Sequence, residues 1–283
     1  MIELECGAWS ATVATHGGGL VALRQHGRDV VVPQDGDGSH PAYSGAVLAP
    51  WPNRLEDGVY TFEGVTYEVP INEPEAATAL HGLVHDIAWT VAAATPESVR
   101  LTVEVPRSAG FPFTVRLDLD YVLSSGGLNV ALTATNAGDV AAPYGCGFHP
   151  YLVLDEGDET PLWIPAESYL ETTPVRHLPL RRKEVAGSPY DFGSTRPLGS
   201  TVLDYAYTDL RRDETGEVVV RVGGTEVRCG PGVLWLQAYT PEGRGSLAVE
   251  PCSSPANAFR SGHDLVVLQP GSRHVLTWTI RRP

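Results

Sequence analysis

Residues 99–134 read VRLTVEVPRSAGFPFTVRLDLDYVLSSGGLNVALTA, a stretch in which apolar and polar side chains alternate. The alternation runs through three segments, 99–105, 115–121 and 128–134. A period of two places every second side chain on the same face, as in a strand with one buried face. The residues SSGG at 124–127 are a turn signal between the last two segments. The stretch therefore predicts an antiparallel meander.

Strand patterns continue on both sides of this meander. Residues 60–69 alternate around a Glu63-Gly64 turn, which predicts a hairpin, and the apolar positions of 276–280 predict a final strand. No stretch of 11 or more residues has a clear apolar period of 3.6, and 30 glycines and 23 prolines interrupt the chain too often for long helices. The predicted fold class is all-β with few short helices, and either a sandwich or a barrel satisfies the pattern.

The whole chain, residues 1–283, is predicted to be a single domain. Neither an internal repeat nor a linker rich in Gly, Ser or Pro divides it, and strand patterns cross its middle. The segment from Asp155 to Ser200 is rich in Pro, Glu and Arg. We expect long loops and short strands there, of the kind that build a substrate cleft.

Composition narrows the possible partners. Hydrophobic residues make up 42% of the chain and charged residues 19%, as in a globular protein. With 34 acidic and 20 basic residues the formal charge is -14, which repels nucleic acids and anionic membranes and favours neutral, polyhydroxy ligands. The N-terminal residues lack a signal-peptide pattern and no apolar run of 18 occurs, so we expect a cytoplasmic protein. The four cysteines lack close spacing, which predicts reduced structural thiols.

Several local patterns are set aside as functional signals. His81 and His85 are four apart, but the pattern around them is not helical, and Asp35-Gly36-Asp37-Gly38 lacks the later ligands of a calcium loop. Residues three apart on a strand face opposite ways, which argues against a dyad of Cys146 with His149. Core positions, rather than sugar-stacking ones, are predicted for three aromatic residues, Trp163, Trp235 and Tyr239. No metal site is predicted.

Two titratable residues, His149 and Glu250, each stand directly before a proline. The proline ring pushes the preceding residue into extended geometry, so each side chain projects from a defined backbone. Glu250 also ends an apolar segment in which Leu247 and Val249 are predicted core residues. Taken alone, His149 could simply pack against Tyr151, and Glu250 could face water.

Both residues belong to a wider set of motifs that resembles the aldose 1-epimerases, or galactose mutarotases. The set comprises Asn53-Arg54 in APWPNRLEDGVYTF, Leu80-His81-Gly82 in ALHGLVH, His149 in GFHPY and Glu250 in VEP, in the order of the family. The segment LDYAY, which contains Asp204, is similar to the family's aspartate motif. The match runs from about Thr15 to Trp278, and the residues after Glu250 resemble the bacterial aldose 1-epimerase-like branch.

This resemblance implies a large antiparallel β-sandwich of the galactose-mutarotase type, a supersandwich, and an isomerase that interconverts the anomers of an aldose. Glu250 would be the general base that removes the proton of the C1 hydroxyl, and His149 the general acid that protonates the ring oxygen. His81 would position the sugar, Arg54 would donate to its hydroxyls, and Asp204 would accept from them. The implied partner is a monosaccharide, with no cofactor or metal, and the chain would be a monomer or homodimer.

The same chemistry sets an expectation for protonation. An imidazolium at His149 calls for a pKa raised by a neighbouring carboxylate, while Glu250 stays ionised at neutral pH.

Three alternatives remain open from the sequence. A non-catalytic carbohydrate-binding protein could share the fold. An epimerase for anionic sugars, bearing a 6-phosphate or 6-sulfonate, could bind the anion through four basic residues, Arg176, Arg181, Arg182 and Lys183. A glycoside hydrolase would need two carboxylates flanking the scissile bond, whereas the motif positions offer a His/Glu pair. The acidic net charge favours a neutral sugar, so glucose is expected to be preferred over glucose 6-phosphate.

Overall fold

The computed structural model describes residues 1–34 and 41–283 of the chain, and the Asp35-Gly36-Asp37-Gly38 pattern lies outside the described residues. The described residues form 27 strands: β1 (Ile2–Cys6), β2 (Trp9–Val13), β3 (Leu20–Gln25), β4 (Arg28–Asp29), β5 (Val47–Leu48), β6 (Arg54–Glu56), β7 (Val59–Phe62), β8 (Val65–Glu68), β9 (Thr78–Leu80), β10 (Thr90–Ala94), β11 (Ser98–Glu104), β12 (Val115–Ser124), β13 (Gly127–Asn136), β14 (Ala142–Tyr144), β15 (Gly147–Phe148), β16 (Tyr151–Val153), β17 (Pro161–Trp163), β18 (Ala166–Thr172), β19 (Pro179–Glu184), β20 (Arg196–Pro197), β21 (Asp204–Leu210), β22 (Val218–Val222), β23 (Thr225–Cys229), β24 (Trp235–Tyr239), β25 (Ser246–Cys252), β26 (Val266–Leu268) and β27 (Arg273–Arg281). Two short 3-10 turns, Pro41–Tyr43 and Gly157–Glu159, and one helix, α1 (Ala258–Ser261), are the helical elements of this part of the chain.

Two large antiparallel sheets dominate the fold. The first has nine strands in the order β10-β11-β12-β13-β27-β23-β22-β17-β20. The second has eight, in the order β19-β18-β21-β24-β25-β15-β5, with β16 also paired to β25. Apolar side chains from both sheets meet between them, as where Phe148 packs on Trp278 with ring centroids 5.2 Å apart. The predicted all-β fold built from antiparallel sheets is therefore confirmed.

The meander predicted from the period-two pattern is present as β11, β12 and β13. These strands pair antiparallel in sequence, and their inward residues, including Leu119 and Tyr121, are fully buried. The predicted hairpin is β7–β8, and the predicted last strand is β27, which lies between β13 and β23. The alternation succeeds as a predictor here because one face of this sheet is solvated while the other joins the core.

One continuous cluster of buried side chains includes residues from Leu4 to Ile280. This continuity supports the proposal that the chain is one domain. The segment from Asp155 to Ser200 carries the four strands β17 to β20, of which β19 and β20 are edge strands of the two large sheets and β18 and β17 are their neighbours. In the described residues no helix is both long and apolar enough to span a membrane.

Candidate active site

A cavity of about 430 Å³ opens over the eight-stranded sheet, and all five predicted site residues line it. Its size lies within the range of small-molecule sites. The wall consists of the following residues: Ala42, Tyr43, Asn53, Arg54, Glu73, Leu80, His81, His149, Tyr151, His177, Asp204, Gln237, Tyr239 and Glu250. A larger groove of about 620 Å³, over β18, β19 and β21, contains none of the five predicted residues.

Strand register explains why distant acidic and amide residues meet at this cavity. Asp204 of β21 lies opposite Tyr239 of β24, and Gln237 of β24 lies opposite Glu250 of β25. Residues directly opposite one another in a sheet project to the same face, and so do residues two apart on one strand. All four side chains therefore share the cavity face, while Leu247 and Val249 of β25 join the core as predicted.

His149 and Glu250 are the most deeply buried pair in the cavity wall. His149 Nε2 lies 3.3 Å from Glu250 Oε1, and their side chains are only 7% and 3% exposed. The imidazole stacks on the Tyr151 ring, with centroids 5.0 Å apart and an interplanar angle of 19°. The backbone of His149 is fixed by hydrogen bonds with Gly45 and Ala46. Acid and base candidates thus face each other across a contact distance.

Burial reverses the pKa shifts expected from the sequence. The neighbouring carboxylate was expected to raise the pKa of His149, but removal of the imidazole from water lowers that pKa to about 4. Burial likewise raises the pKa of Glu250 well above its ordinary value, and the nearby Asp204 adds to the rise. The expectation of a high-pKa histidine beside a readily ionised glutamate is wrong, because desolvation disfavours both charged forms.

His81 is held in one tautomer, unlike His149. The backbone N–H of Asn53 donates to His81 Nδ1 at 3.1 Å, so the ring proton resides on Nε2. The backbone N–H of His81 in turn donates to the backbone carbonyl of Asn53 at 2.9 Å. Burial lowers the pKa of His81 well below its ordinary value, which keeps the ring neutral. His149 Nδ1, by contrast, has no hydrogen-bond partner among the described residues.

The Leu80-His81-Gly82 motif has a backbone reason. His81 and Gly82 both adopt positive φ, at 63° and 76°. A Cβ on Gly82 would meet the carbonyl oxygen of Ala49 at 2.1 Å, so only glycine fits that position. The tight turn aims the His81 ring at the cavity, where it lies 5.4 Å from the His149 ring, centroid to centroid.

Arg54 is bound to a residue that the sequence did not suggest. Its Nε and Nη2 donate to the two carboxylate oxygens of Glu73, at 2.8 and 2.7 Å. Thr78 Oγ1 donates a further hydrogen bond to Glu73 Oε2 at 2.5 Å. The Arg54 fork is therefore partly occupied, and the Nη1 group has no partner among the described residues.

Asp204 lies at the cavity wall beside two more residues that the sequence did not single out. Gln237 Nε2 donates to Asp204 Oδ1 at 2.7 Å, and His177 Nδ1 lies 3.5 Å from Asp204 Oδ2. Burial raises the pKa of Asp204 despite the opposing effect of Arg54. The signal for Gln237 is its position opposite Glu250 on the neighbouring strand. That register is not visible in the sequence.

The aromatic residues divide differently from the prediction. Trp235 is buried, as predicted, and donates to Asp264. The assignment of Trp163 to the core is wrong, because its ring is only partly buried and packs against Arg221 away from the cavity. Tyr239 was also assigned to the core, yet it lines the cavity and meets the Tyr151 ring edge-on at 6.4 Å. The assignment of Tyr239 to the core is wrong. One face of its strand packs into the core, and Tyr239 is on the other face, which lines the cavity.

The basic residues proposed for anion binding lie elsewhere. Arg181 and Lys183 both pair with Glu171, Arg182 pairs with Asp209, and Arg176 pairs with Glu56 and Asp57. None of the four basic residues is part of the cavity wall.

The described residues form neither a metal-binding cluster nor a reactive thiol site. Within residues 1–34 and 41–283, no cluster of three or more His, Cys, Asp or Glu is arranged to hold a metal ion. All four cysteines are free, and burial raises the pKa of Cys146 to about 11, which keeps it a thiol.

The chain is similar to known proteins over its whole length. The family model for aldose 1-epimerase matches residues 1–281. The uncharacterized protein YihR of Escherichia coli K12 is 34% identical over 99% of this chain and 92% of that protein. The solved GalM/aldose epimerase homologue from C. elegans superposes with a TM-score of 0.86 at 20% identity, covering 99% of this chain and 97% of the other. Galactose 1-epimerase from Lactobacillus acidophilus gives 0.83 at 18%, covering 99% and 92%.

Proposed function

Because the chain belongs to the aldose 1-epimerase family, we propose that it is a mutarotase that interconverts the α and β anomers of an aldose. The observation that carries the proposal is the His149–Glu250 pair, 3.3 Å apart at the wall of a cavity of about 430 Å³. Among the described residues of that wall, the other acid–base pairs, Arg54–Glu73 and His177–Asp204, are more exposed. The proposed reaction needs only these side chains and no cofactor.

The separation of the pair suits the two atoms that exchange protons. Ring opening removes a proton from the C1 hydroxyl and adds one to the ring oxygen, and both oxygens are bonded to the same carbon. An acid and a base that serve them must therefore be close neighbours. In the proposed step Glu250 accepts the hydroxyl proton, the C1 carbonyl forms as the bond from C1 to the ring oxygen breaks, and His149 protonates that oxygen. Rotation about the C1–C2 bond and reversal of both transfers give the other anomer.

One proton shared by the pair is sufficient for this cycle. Burial lowers the pKa of His149 and raises that of Glu250, which favours the form of the pair in which the carboxyl group holds the proton. Transfer of that proton across 3.3 Å to His149 gives the carboxylate and imidazolium that the reaction uses. Hydrogen bonds from sugar hydroxyls to Glu250 would favour this charged form once water has left the cavity.

The surrounding residues suit a polyhydroxy ligand. His81 offers a fixed Nε2–H donor, and the free Nη1 of Arg54 offers two more. Asp204, already hydrogen-bonded to Gln237, supplies an acceptor. The part of the cavity wall formed by described residues contains three acidic residues, Glu73, Asp204 and Glu250, and one arginine. We therefore propose a neutral aldose as substrate, and a cytoplasmic enzyme acting on free monosaccharides.

Polarimetry tests the activity directly. Purified protein should accelerate the change in optical rotation of freshly dissolved α-glucose or α-galactose, with the same rate after treatment with EDTA. Binding of these sugars without acceleration would favour a non-catalytic carbohydrate-binding protein instead. Loss of activity with EDTA would contradict a mechanism that relies on side chains alone.

A further inference from the structure

The Arg54–Glu73 pair is an enclosed arginine–carboxylate pair in the wall of the cavity. Its side chains are 15% and 13% exposed, whereas those of the surface pair Arg100–Asp120 are 55% and 27% exposed. Two parallel hydrogen bonds join the guanidinium to the carboxylate, and both residues line the cavity. Such a fork fixes the plane of the guanidinium as well as its position.

The residue before Glu73 ties the same turn to the His81 motif. Asn72 Nδ2 donates to the Leu80 carbonyl at 3.0 Å, and the Leu80 N–H donates to Asn72 Oδ1 at 2.6 Å. The Asn72 amide thus acts as a strand partner for the residue that precedes His81. Backbone hydrogen bonds between Glu73 and Thr78 close the turn in both directions. These hydrogen bonds fix the backbone of the turn that carries Glu73.

Glu73 also governs the charge that the cavity presents. Burial alone would raise the pKa of Glu73, but hydrogen bonds from Arg54 and Thr78 outweigh it and lower the pKa. The ionised carboxylate offsets the charge of Arg54, the one arginine among the described residues of the cavity wall. An anionic substituent entering the cavity would meet this carboxylate as well as the carboxyl groups of Asp204 and Glu250.

We infer that Glu73 is a positioning and specificity-determining residue, which holds Arg54 as a charge-compensated donor for hydroxyl groups and so selects uncharged sugars over anionic ones. The inference rests on the proposed mutarotase function. It assigns to Arg54 the Nη1 edge for substrate, because Glu73 occupies the Nε and Nη2 positions. Replacing the carboxylate by an amide of the same shape unmasks the cation without emptying the space.

The test compares Glu73→Gln with the intact protein on glucose and glucose 6-phosphate. We expect KM for glucose to rise about tenfold with kcat unchanged, since a charge-assisted contact positions the binding donor. The preference for glucose over glucose 6-phosphate, as a ratio of kcat/KM values, should fall by about tenfold or more. In the Arg54→Ala background, Glu73→Gln should add no further change, because Glu73 acts through Arg54.

Glu171→Gln is the matched control, since it removes a carboxylate that pairs with Arg181 and Lys183 outside the cavity. This variant should leave KM and the substrate ratio unchanged, and thermal melts establish that each variant is folded. An unchanged substrate ratio in folded Glu73→Gln, or additive effects in the double variant, would overturn the inference.

The two proposals can fail separately. If the intact protein does not catalyse mutarotation, the proposed function fails, and titration calorimetry with the same two sugars still compares the intact protein with Glu73→Gln. A shift in binding preference toward glucose 6-phosphate in the variant would then support the role of Glu73. Equal preference in the two proteins, or binding of neither sugar, would overturn it.

Discussion

Two carboxyl groups, one on each of the two large sheets, show how differently these sheets use polar residues. Asp120 lies on the outer face of the nine-stranded sheet, where its two oxygens accept hydrogen bonds from Arg100 at 2.7 and 3.0 Å. Glu250 lies on the cavity face of the eight-stranded sheet, 3% exposed, with the imidazole of His149 3.3 Å away. Asp120 is hydrogen-bonded to a guanidinium and partly exposed, whereas Glu250 is almost fully buried and has no hydrogen bond from a guanidinium among the described residues.

Polar residues of the first kind face solvent and keep the sheet soluble. Polar residues of the second kind are buried by the fold at a cost in hydration. A paired surface carboxylate contributes about 0 to 1 kcal/mol to stability, so its replacement changes little. A buried carboxyl group without a hydrogen-bonded cation opposes folding, because its charged form loses hydration. Perturbed pairs of this kind in a cleft point to chemistry rather than to stability.

The largest expected effect is at His149, on the cavity side of this comparison. His149→Asn should reduce kcat by roughly 10²- to 10⁴-fold, because the ring oxygen loses its proton donor. Combining it with Glu250→Gln should be no slower than either single variant, since the two act as one unit. His274→Asn is the control, because His274 is partly buried and also has its pKa lowered by burial, but lies outside the cavity wall. A His149→Asn rate within threefold of the intact protein, at full folding, would remove His149 from the mechanism.

A smaller effect is expected at Arg54, which contacts the proposed substrate but transfers no proton. Arg54→Ala should raise KM by roughly tenfold and leave kcat within about threefold of the intact protein, as for a lost binding contact. Initial rates at several sugar concentrations distinguish the two parameters. A variant with lower kcat at unchanged KM would place Arg54 in the reaction step instead.

The pH dependence should show almost no change where an ordinary histidine titrates. The pKa of His149 is lowered to about 4, so the pair takes up a second proton only as the pH falls through that value. The acid limb of kcat/KM should therefore be centred near pH 4, with less than about a twofold change between pH 6.5 and 5. Rates corrected for spontaneous mutarotation across this range provide the check. A limb centred near the ordinary histidine pKa of 6.5 would show that burial does not control His149.

The smallest effect belongs to the surface carboxylate. Asp120→Asn should leave kcat and KM unchanged and lower the free energy of unfolding by less than about 1 kcal/mol. Urea unfolding and polarimetry of the same preparation measure both. A large loss of activity in folded Asp120→Asn would mean that the two faces do not divide function from solubility as argued.

The fold was predictable from sequence where local pattern and environment agree. The alternation in β11 to β13 is visible because one face of these strands is solvated. Strand β25 is buried throughout, so no alternation marks it, and the local signal at Glu250 is the proline that follows it. The five motif residues all line one cavity, and their roles stay predictions.

Other parts of the site depend on contacts that no local pattern encodes. Glu73 reads as part of a polar turn, and its meeting with Arg54 exists only after β6 and β9 pair. His177 is the one residue of the Asp155–Ser200 segment in the described cavity wall, and nothing in its sequence neighbourhood distinguishes it. The protonation of His149 and Glu250 was mispredicted because burial depth, which decides the direction of both pKa shifts, is a property of the assembled sheets.

The most direct measurement is polarimetry of α-glucose or α-galactose with intact protein and with Glu250→Gln, at matched concentrations and after thermal melts have established that both are folded. The amide keeps the shape of the buried side chain but cannot accept the C1 hydroxyl proton. We predict that the intact protein accelerates mutarotation and that kcat of the variant is lower by roughly 10²- to 10⁴-fold. Near-equal turnover by the folded variant would contradict the assignment of Glu250 as the base, and with it the central claim.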